Sequence, residues 1–247
     1  MTSRPPVSRE TGGPARRLVA QVAGLGVDLD DEAASVLVAL LDRIALEPQN
    51  LTAVEGVDEG IDRHLADSLA GLTIPEIASA AALVDVGSGV GFPGLALAVA
   101  RPDLSVTLVE SEQRKADWLH RASAGIPNVR VVPDRSENLA GRERESFPLV
   151  TMRALGPLPV ALELAAPLVS VGGAVVAWRG DDAYPAGEAD GAAAAAELGL
   201  EPRPPVPVSP FPGARRRLHV FTKTAPTPAR YPRRPGRAAK RPLGATR

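Results

Sequence analysis

A cluster of glycines between residues 83 and 94 is the part of this chain best suited to chemistry. In the segment LVDVGSGVGFPG, Asp85 lies within an apolar run, which is followed by Gly87, Gly89, Gly91 and a fourth glycine. An apolar run that ends in glycines and a proline predicts a strand, a tight turn and a helix N-terminus. The backbone of such a turn can approach a nucleoside cofactor closely. We therefore interpret this segment as a cofactor-binding loop.

An acid at residue 110 supports this interpretation. Glu110 follows a second apolar run at 105–109, where a carboxylate can accept hydrogen bonds from both hydroxyls of a ribose. The pattern Asp-x-Gly-x-Gly-x-Gly resembles motif I of S-adenosylmethionine (SAM) methyltransferases. Asp85 would attract the ammonium of SAM and repel the pyrophosphate of a dinucleotide. SAM is favoured, and a dinucleotide-dependent oxidoreductase remains the alternative.

Composition limits the class of protein. With 247 residues and 45% hydrophobic content, the chain can form one substantial core. It has no cysteine and three histidines, so we expect neither a disulfide framework nor a metal site. No apolar run reaches the roughly 20 residues of a membrane span, and the N-terminus does not resemble a signal peptide. We expect a cytoplasmic protein with no membrane partner.

Charge is concentrated at the C-terminus. Residues 226–247 hold seven basic and no acidic residues, which leaves 21 basic against 29 acidic residues in the body. We therefore define residues 225–247 as a basic, proline-rich tail that is distinct from the acidic body. Such a tail is common in proteins that contact nucleic acid. A solvated, disordered tail remains an equal alternative.

The remaining chain divides into three parts. Residues 1–15 are predicted to be disordered, and 16–80 to form a helical segment with helices near 30–46 and 58–72. From 81 to 224, five strands alternate with helices, which predicts a parallel sheet covered on both faces. The proline-rich run 202–208 predicts an edge strand, and 217–222 a final antiparallel strand. This α/β arrangement is the Rossmann-like, seven-stranded sheet of class I SAM-dependent methyltransferases.

Five motifs then carry a specific resemblance. In chain order they are Asn50–Val54, Arg63–Ser68, Asp85–Gly94, Met152–Ala154 and Tyr231–Gly236. With them, the chain resembles the RsmG (GidB) family of bacterial 16S ribosomal RNA guanine-N7 methyltransferases. Two departures stand out, Trp178-Arg179-Gly180 where the family tends to have Leu-Lys-Gly, and three arginines at 215–217 where it has Arg-His.

The resemblance implies a set of cofactor contacts. SAM would contact Gly87, Phe92, Ser136, Glu137 and Arg153, with Glu110 on the ribose. Ser136 has a simpler alternative as the cap of the next helix.

The resemblance also implies the reaction and its partner. The methyl group would go to N7 of guanine 527 of 16S rRNA, in the small ribosomal subunit or its precursor. This nitrogen carries a lone pair and no proton, so no residue is predicted to be a general base. The candidates for positioning the guanine or the RNA are Arg153, Arg179, His64 and Arg63, and Asp67 is expected to pair with Arg63. Another RNA or a small molecule as acceptor, and a non-catalytic RNA-binding protein, remain alternatives.

Overall fold

The computed structural model describes residues 12–48, 51–180 and 188–244, so Asn50 of the first motif lies outside the described residues. The described residues of the N-terminal segment are mainly helical. Its elements are α1 (Gly12–Ala23), α2 (Asp31–Ala45), α3 (Gly56–Gly60), a π-helix (Ile61–Ala66), α4 (Asp67–Leu69), a 3₁₀-helix (Ala70–Thr73) and α5 (Pro75–Ala78).

Two expectations for this segment need correction. Residues 12–15 were predicted to be disordered but form the first turn of α1, and Ala15 is buried there. The single helix predicted over 58–72 is instead broken, because the Asp67 amide bonds the Asp62 carbonyl five residues back. A wider turn of this kind is rare and frequently found at functional sites. It rotates every following side chain away from the face that α-helical spacing assigns to it.

The sheet has the predicted topology. Its strands are β1 (Ala82–Val86), β2 (Ser105–Val109), β3 (Val129–Val132), β4 (Phe147–Arg153), β5 (Val169–Gly180), β6 (Leu200–Pro202), β7 (Val206–Val208) and β8 (Arg216–Lys223). They are arranged β3-β2-β1-β4-β5-β8-β6, and β7 also pairs with β8. Strands β1 to β5 are parallel, and β8 runs antiparallel to β5. The predicted edge strand is split into β6 and β7 around prolines 204 and 205, which cannot donate to a ladder.

Helices cover both faces of the sheet. They are α6 (Gly94–Ala100), α7 (Gln113–Ala122), α8 (Ser136–Arg142), α9 (Leu158–Ala165), α10 (Glu188–Glu197) and α11 (Arg237–Lys240). One hydrophobic core joins the N-terminal segment, α6 and α7 to the sheet, and the other joins α8, α9 and α10. Successive residues of β1 point to opposite cores, with Leu83 in the first and Val84 in the second.

The C-terminal tail is packed against the second core. Tyr231 and Leu243 are buried in this core, and Ala238 between them is buried as well. The alternative of a solvated, disordered tail is therefore wrong for the described residues 225–244.

Candidate functional site

The glycine loop lies between β1 and α6 and depends on glycine for its shape. Gly87, Gly89 and Gly91 have φ values of +69°, +57° and +109°, which L side chains rarely adopt. A β-carbon would collide with Leu155 at Gly87 and with Leu95 at Gly91. At Gly89 it would meet only the Gly87 carbonyl oxygen, at 4.0 Å. Gly89 therefore marks the open side of the loop.

Glu110 holds this loop in place. One carboxylate oxygen accepts from the Gly89 amide at 2.9 Å, and the other accepts from the Glu112 amide at 2.7 Å. The residue is 8% exposed. A contact between Glu110 and a ribose stays a prediction, and the structure adds that the carboxylate fixes the glycine loop.

Asp85 lies beneath the loop. Its carboxylate accepts from the Thr151 hydroxyl at 2.8 Å and from the Gly94 amide at 3.2 Å, and the residue is 1% exposed. Burial is the main cause that raises the pKa of Asp85 to about 6. The expected contact with a ligand ammonium stays a prediction, and what the geometry assigns to Asp85 is support of the loop.

This pKa predicts a dependence of stability on pH. Between pH 4 and 6 the folded protein keeps a proton on Asp85 that the unfolded chain has lost, so the contribution of Asp85 to stability falls as pH rises through this window. The shift corresponds to roughly 3 kcal/mol. Urea unfolding of the wild type and Asp85→Asn should therefore show the variant gaining relative stability from pH 4 to 7. A stability difference that does not change with pH would contradict the assignment.

A cavity of about 230 Å³ opens beside the glycine loop. Of the predicted cofactor contacts it brings together Gly87, Ser136 and Glu137. Ser136 is the first residue of α8 and follows Arg135 at the cap position, so the capping alternative for Ser136 is wrong. We name this space the nucleoside cavity. Its remaining lining residues are Val86, Val109, Ser111, Asp134, Arg135, Leu155, Val160, Leu164, Gly236, Ala238 and Ala239.

Part of this wall was not predicted from the sequence. Asp134, Leu155, Ala238 and Ala239 belong to none of the five motifs, and Gly236 belongs to the fifth motif without a predicted cofactor contact. Asp134 lies two residues after β3, and the carboxyl end of a strand in this sheet type is the signal that could have found it. No local signal in the tail predicts that it lines this cavity.

A second cavity of about 390 Å³ contains all four predicted positioning residues. We name it the arginine cavity. Its lining residues are Val54, Arg63, His64, Asp67, Arg153, Ala154, Trp178, Arg179, Gly180 and Arg216. Four arginines around one space favour an anionic or strongly hydrogen-bond-accepting occupant.

Asp67 organises the arginine cavity. Its carboxylate pairs with Arg153 and with Arg216, each at 3.0 Å, and its carbonyl accepts from the Trp178 indole at 2.8 Å. The expected pair between Asp67 and Arg63 is wrong. Arg63 pairs with Glu59 at 2.7 Å, because the π-helix turns residue 67 away from residue 63.

His64 lies beside Arg153 as a neutral imidazole. Burial, followed by the charge of Arg153, lowers the pKa of His64 to about 4. Arg153 lies 3.4 Å from Nδ1, and since a guanidinium only donates, Nδ1 is the acceptor. Nε2 therefore carries the hydrogen and donates it to the Thr52 hydroxyl at 3.0 Å.

Phe92 connects the glycine loop to the arginine cavity. Its ring stacks on His64, with centroids 4.9 Å apart, and the Arg153 guanidinium lies 5.9 Å from the ring centroid. Phe92 and Arg153 are thus placed on the arginine side, and their contact with a cofactor stays a prediction.

The two cavities are neighbours at the carboxyl edge of the parallel strands. A third cavity of about 300 Å³ shares Leu155 with the nucleoside cavity and Ala154, Trp178, Arg179 and Gly180 with the arginine cavity. Ala154 has a φ of +54°, a conformation that is costly for a residue other than glycine and that clusters at functional sites. The loop after β4 therefore separates two sites of different chemistry.

The described residues contain no group of three or more histidine, aspartate or glutamate side chains able to hold a metal ion. None of the helices within them is long and apolar enough to cross a membrane.

Solved structures share this fold. A predicted O-methyltransferase, protein Atu636 from Agrobacterium tumefaciens, matches with a TM-score of 0.51 and 25% identity, over 66% of this chain and 81% of that chain. A mutant of the protein MtNAS matches with a TM-score of 0.56 over 88% of this chain and 78% of that chain. At 13% identity, the latter supports the fold alone.

The sequence relatives identify a family, whereas the solved structures identify only the fold. The ribosomal RNA small subunit methyltransferase G of Chloroflexus aggregans is 39% identical over 94% of this chain and its own full length. The protein of the same name from Deinococcus radiodurans is 38% identical over 89% of this chain and 88% of its own. The model of the family GidB, rRNA small subunit methyltransferase G, matches residues 32–198. The chain therefore belongs to the GidB family of rRNA small subunit methyltransferases G.

Proposed function

We propose that the protein transfers a methyl group from SAM to N7 of a guanine in 16S rRNA, at guanine 527, in the cytoplasm. The observation that carries this proposal is the pair of adjacent cavities on either side of the loop after β4. One has the acidic and apolar lining of a nucleoside site, and the other is lined by four arginines. Membership of the family supports the same conclusion.

The residues of the nucleoside cavity fit SAM. When bound, SAM supplies a methyl group on a positively charged sulfonium. Gly87 lines the cavity with backbone alone, and Glu137 and Asp134 offer carboxylates for amino and hydroxyl donors. Val86, Val109 and Val160 provide apolar surface for a purine ring.

The arginine cavity fits guanine within RNA. Arginines can donate to guanine O6 and to phosphate oxygens, and they remain charged at every physiological pH. Arg153 is held by Asp67 and by the neutral His64, so its direction is fixed before the base arrives. N7 has no proton to remove, so alignment is the main task of the protein, and good alignment contributes several kcal/mol.

The acidic body indicates the form of the substrate. With the tail set aside, acidic residues outnumber basic ones by 29 to 21, which disfavours a long naked RNA. We infer that the substrate is the folded small subunit or its precursor, which the protein contacts locally at its arginines.

Replacing Glu110 tests the cofactor loop. Glu110→Ala loses the charge-assisted bonds to the Gly89 and Glu112 amides, worth about 1.5–3 kcal/mol, so we expect the Kd for SAM to rise roughly 10- to 100-fold. Glu112→Ala is the matched control, because its half-exposed carboxylate bonds only Arg114 and Lys115 among the pairs described. Isothermal titration calorimetry giving equal Kd values for both variants would refute this role.

The full reaction is tested with labelled SAM. The protein is incubated with small subunits from cells that lack the endogenous enzyme, and digested rRNA is analysed by mass spectrometry. We expect a single 7-methylguanosine at guanine 527 and no transfer to subunits that already carry it. Label on another base would show that a different base is the methyl acceptor. Binding of SAM without any transfer would support a non-catalytic protein instead.

A further inference from the structure

The C-terminal tail contributes directly to the nucleoside cavity. Gly236, Ala238 and Ala239 line it together with Val160 and Leu164 of α9. All three tail residues are small, and Ala239 is exposed at its rim while Ala238 is buried. A larger side chain at position 239 would therefore reduce the space open to a ligand.

A buried ion pair fixes this part of the tail. Glu163 lies on α9 between the two cavity-lining residues and is 1% exposed. Its carboxylate accepts from the Arg233 Nε at 2.8 Å and from the Arg233 backbone amide at 3.2 Å. The Arg233 guanidinium also donates to the Arg241 carbonyl at 2.8 Å, so the pair holds both ends of the segment that lines the cavity.

Additional bonds hold the chain just before this segment. Arg144 donates to the carbonyls of Thr227 and Tyr231, at 2.6 and 2.7 Å. The Thr227 amide donates to the Glu145 carboxylate at 2.6 Å. The tail is thus attached at several points before it reaches the cavity, and its position there is determined by the body.

We infer that tail residues 233–241 form one wall of the cofactor site, and that binding of the cofactor and docking of the tail stabilise each other. The inference rests on the proposed function, since it takes the nucleoside cavity as the SAM site. A ligand that contacts the docked tail must favour the docked state, and the docked state must favour the ligand by the same factor. The same segment carries exposed cations at 234, 237 and 240.

Calorimetry with SAM and its product S-adenosylhomocysteine tests the inference. We expect Ala239→Phe to raise the Kd of both ligands at least tenfold. Ala229→Phe is the matched control, because it places the same side chain at an exposed alanine of the tail that does not line the cavity. Its Kd should stay within twofold of the wild type.

Hydrogen exchange of the wild type provides the second readout. The amides of Arg237, Lys240 and Arg241 bond carbonyls within the tail and should exchange more slowly when S-adenosylhomocysteine is saturating. If the wild type binds the ligand but Ala239→Phe has the same Kd and tail exchange is unchanged, the inference is overturned and the proposed function stands. If the wild type binds neither ligand, the proposed function itself fails.

Discussion

Replacing Arg233 by methionine is expected to lower the free energy of unfolding by about 3–5 kcal/mol, the typical cost of leaving a buried charge without its partner. Glu163 is 1% exposed and Arg233 is its only ion-pair partner among the described residues. Methionine keeps the apolar stem of arginine but provides no donor. Urea unfolding at neutral pH measures the change.

Two controls separate the buried charge from other effects. Arg230→Met also removes an arginine–glutamate pair from the tail, but there Arg230 and Glu197 are 64% and 37% exposed, so its effect should be several-fold smaller. The double variant Arg233→Met with Glu163→Met removes both charges and should recover most of the lost stability. Equal destabilisation by the single and double variants would mean that packing, and not charge, attaches the tail.

Replacing Gly89 by arginine is expected to raise the Kd for SAM at least 100-fold. A β-carbon at Gly89 would meet only the Gly87 carbonyl oxygen, at 4.0 Å, so the longer side chain extends into the open space beside the loop, which the proposed function assigns to SAM. Its φ of +57° adds a strain of about 1–2 kcal/mol to the folded state. Calorimetry of SAM binding measures the first effect, and urea unfolding the second.

Gly26→Arg is the matched control for this substitution. Gly26 also has a positive φ, +80°, and a β-carbon added there would have no atom within 4 Å. It follows α1, far along the chain from the glycine loop. Both variants should lose similar stability, and only Gly89→Arg should lose affinity. A similar loss of SAM affinity in Gly26→Arg would mean that general destabilisation, and not a filled binding site, causes the loss in Gly89→Arg.

Local sequence patterns were sufficient for the sheet and for the glycine loop. Period-two alternation and helical spacing depend on neighbours within a few residues, so repeated strand–helix units predict the parallel strands β1 to β5. The need for glycine at 87, 89 and 91 also follows from the local turn, and all three have positive φ. Membership of the GidB family agrees with the motifs found in these segments.

The same local patterns failed where the backbone departs from regular geometry. The spacing of Arg63 and Asp67 predicts a pair on one α-helical face. The π-helix removes that pair, and Asp67 bonds Arg153 and Arg216 instead. Arg216, on the regular strand β8, was not predicted because nothing in its local sequence distinguishes it from the arginines on either side.

The sequence by itself determined the class of fold, the glycine loop and the arginines that line the arginine cavity. Only the tertiary structure decided which charges pair and that the tail lines the nucleoside cavity. Asp67 lies 86 and 149 residues from its two arginine partners, and Glu163 lies 70 residues from Arg233. The physical reason is that hydrogen-bond and dihedral preferences act over a few residues, whereas a buried charge takes whichever partner the packed chain brings within bonding distance.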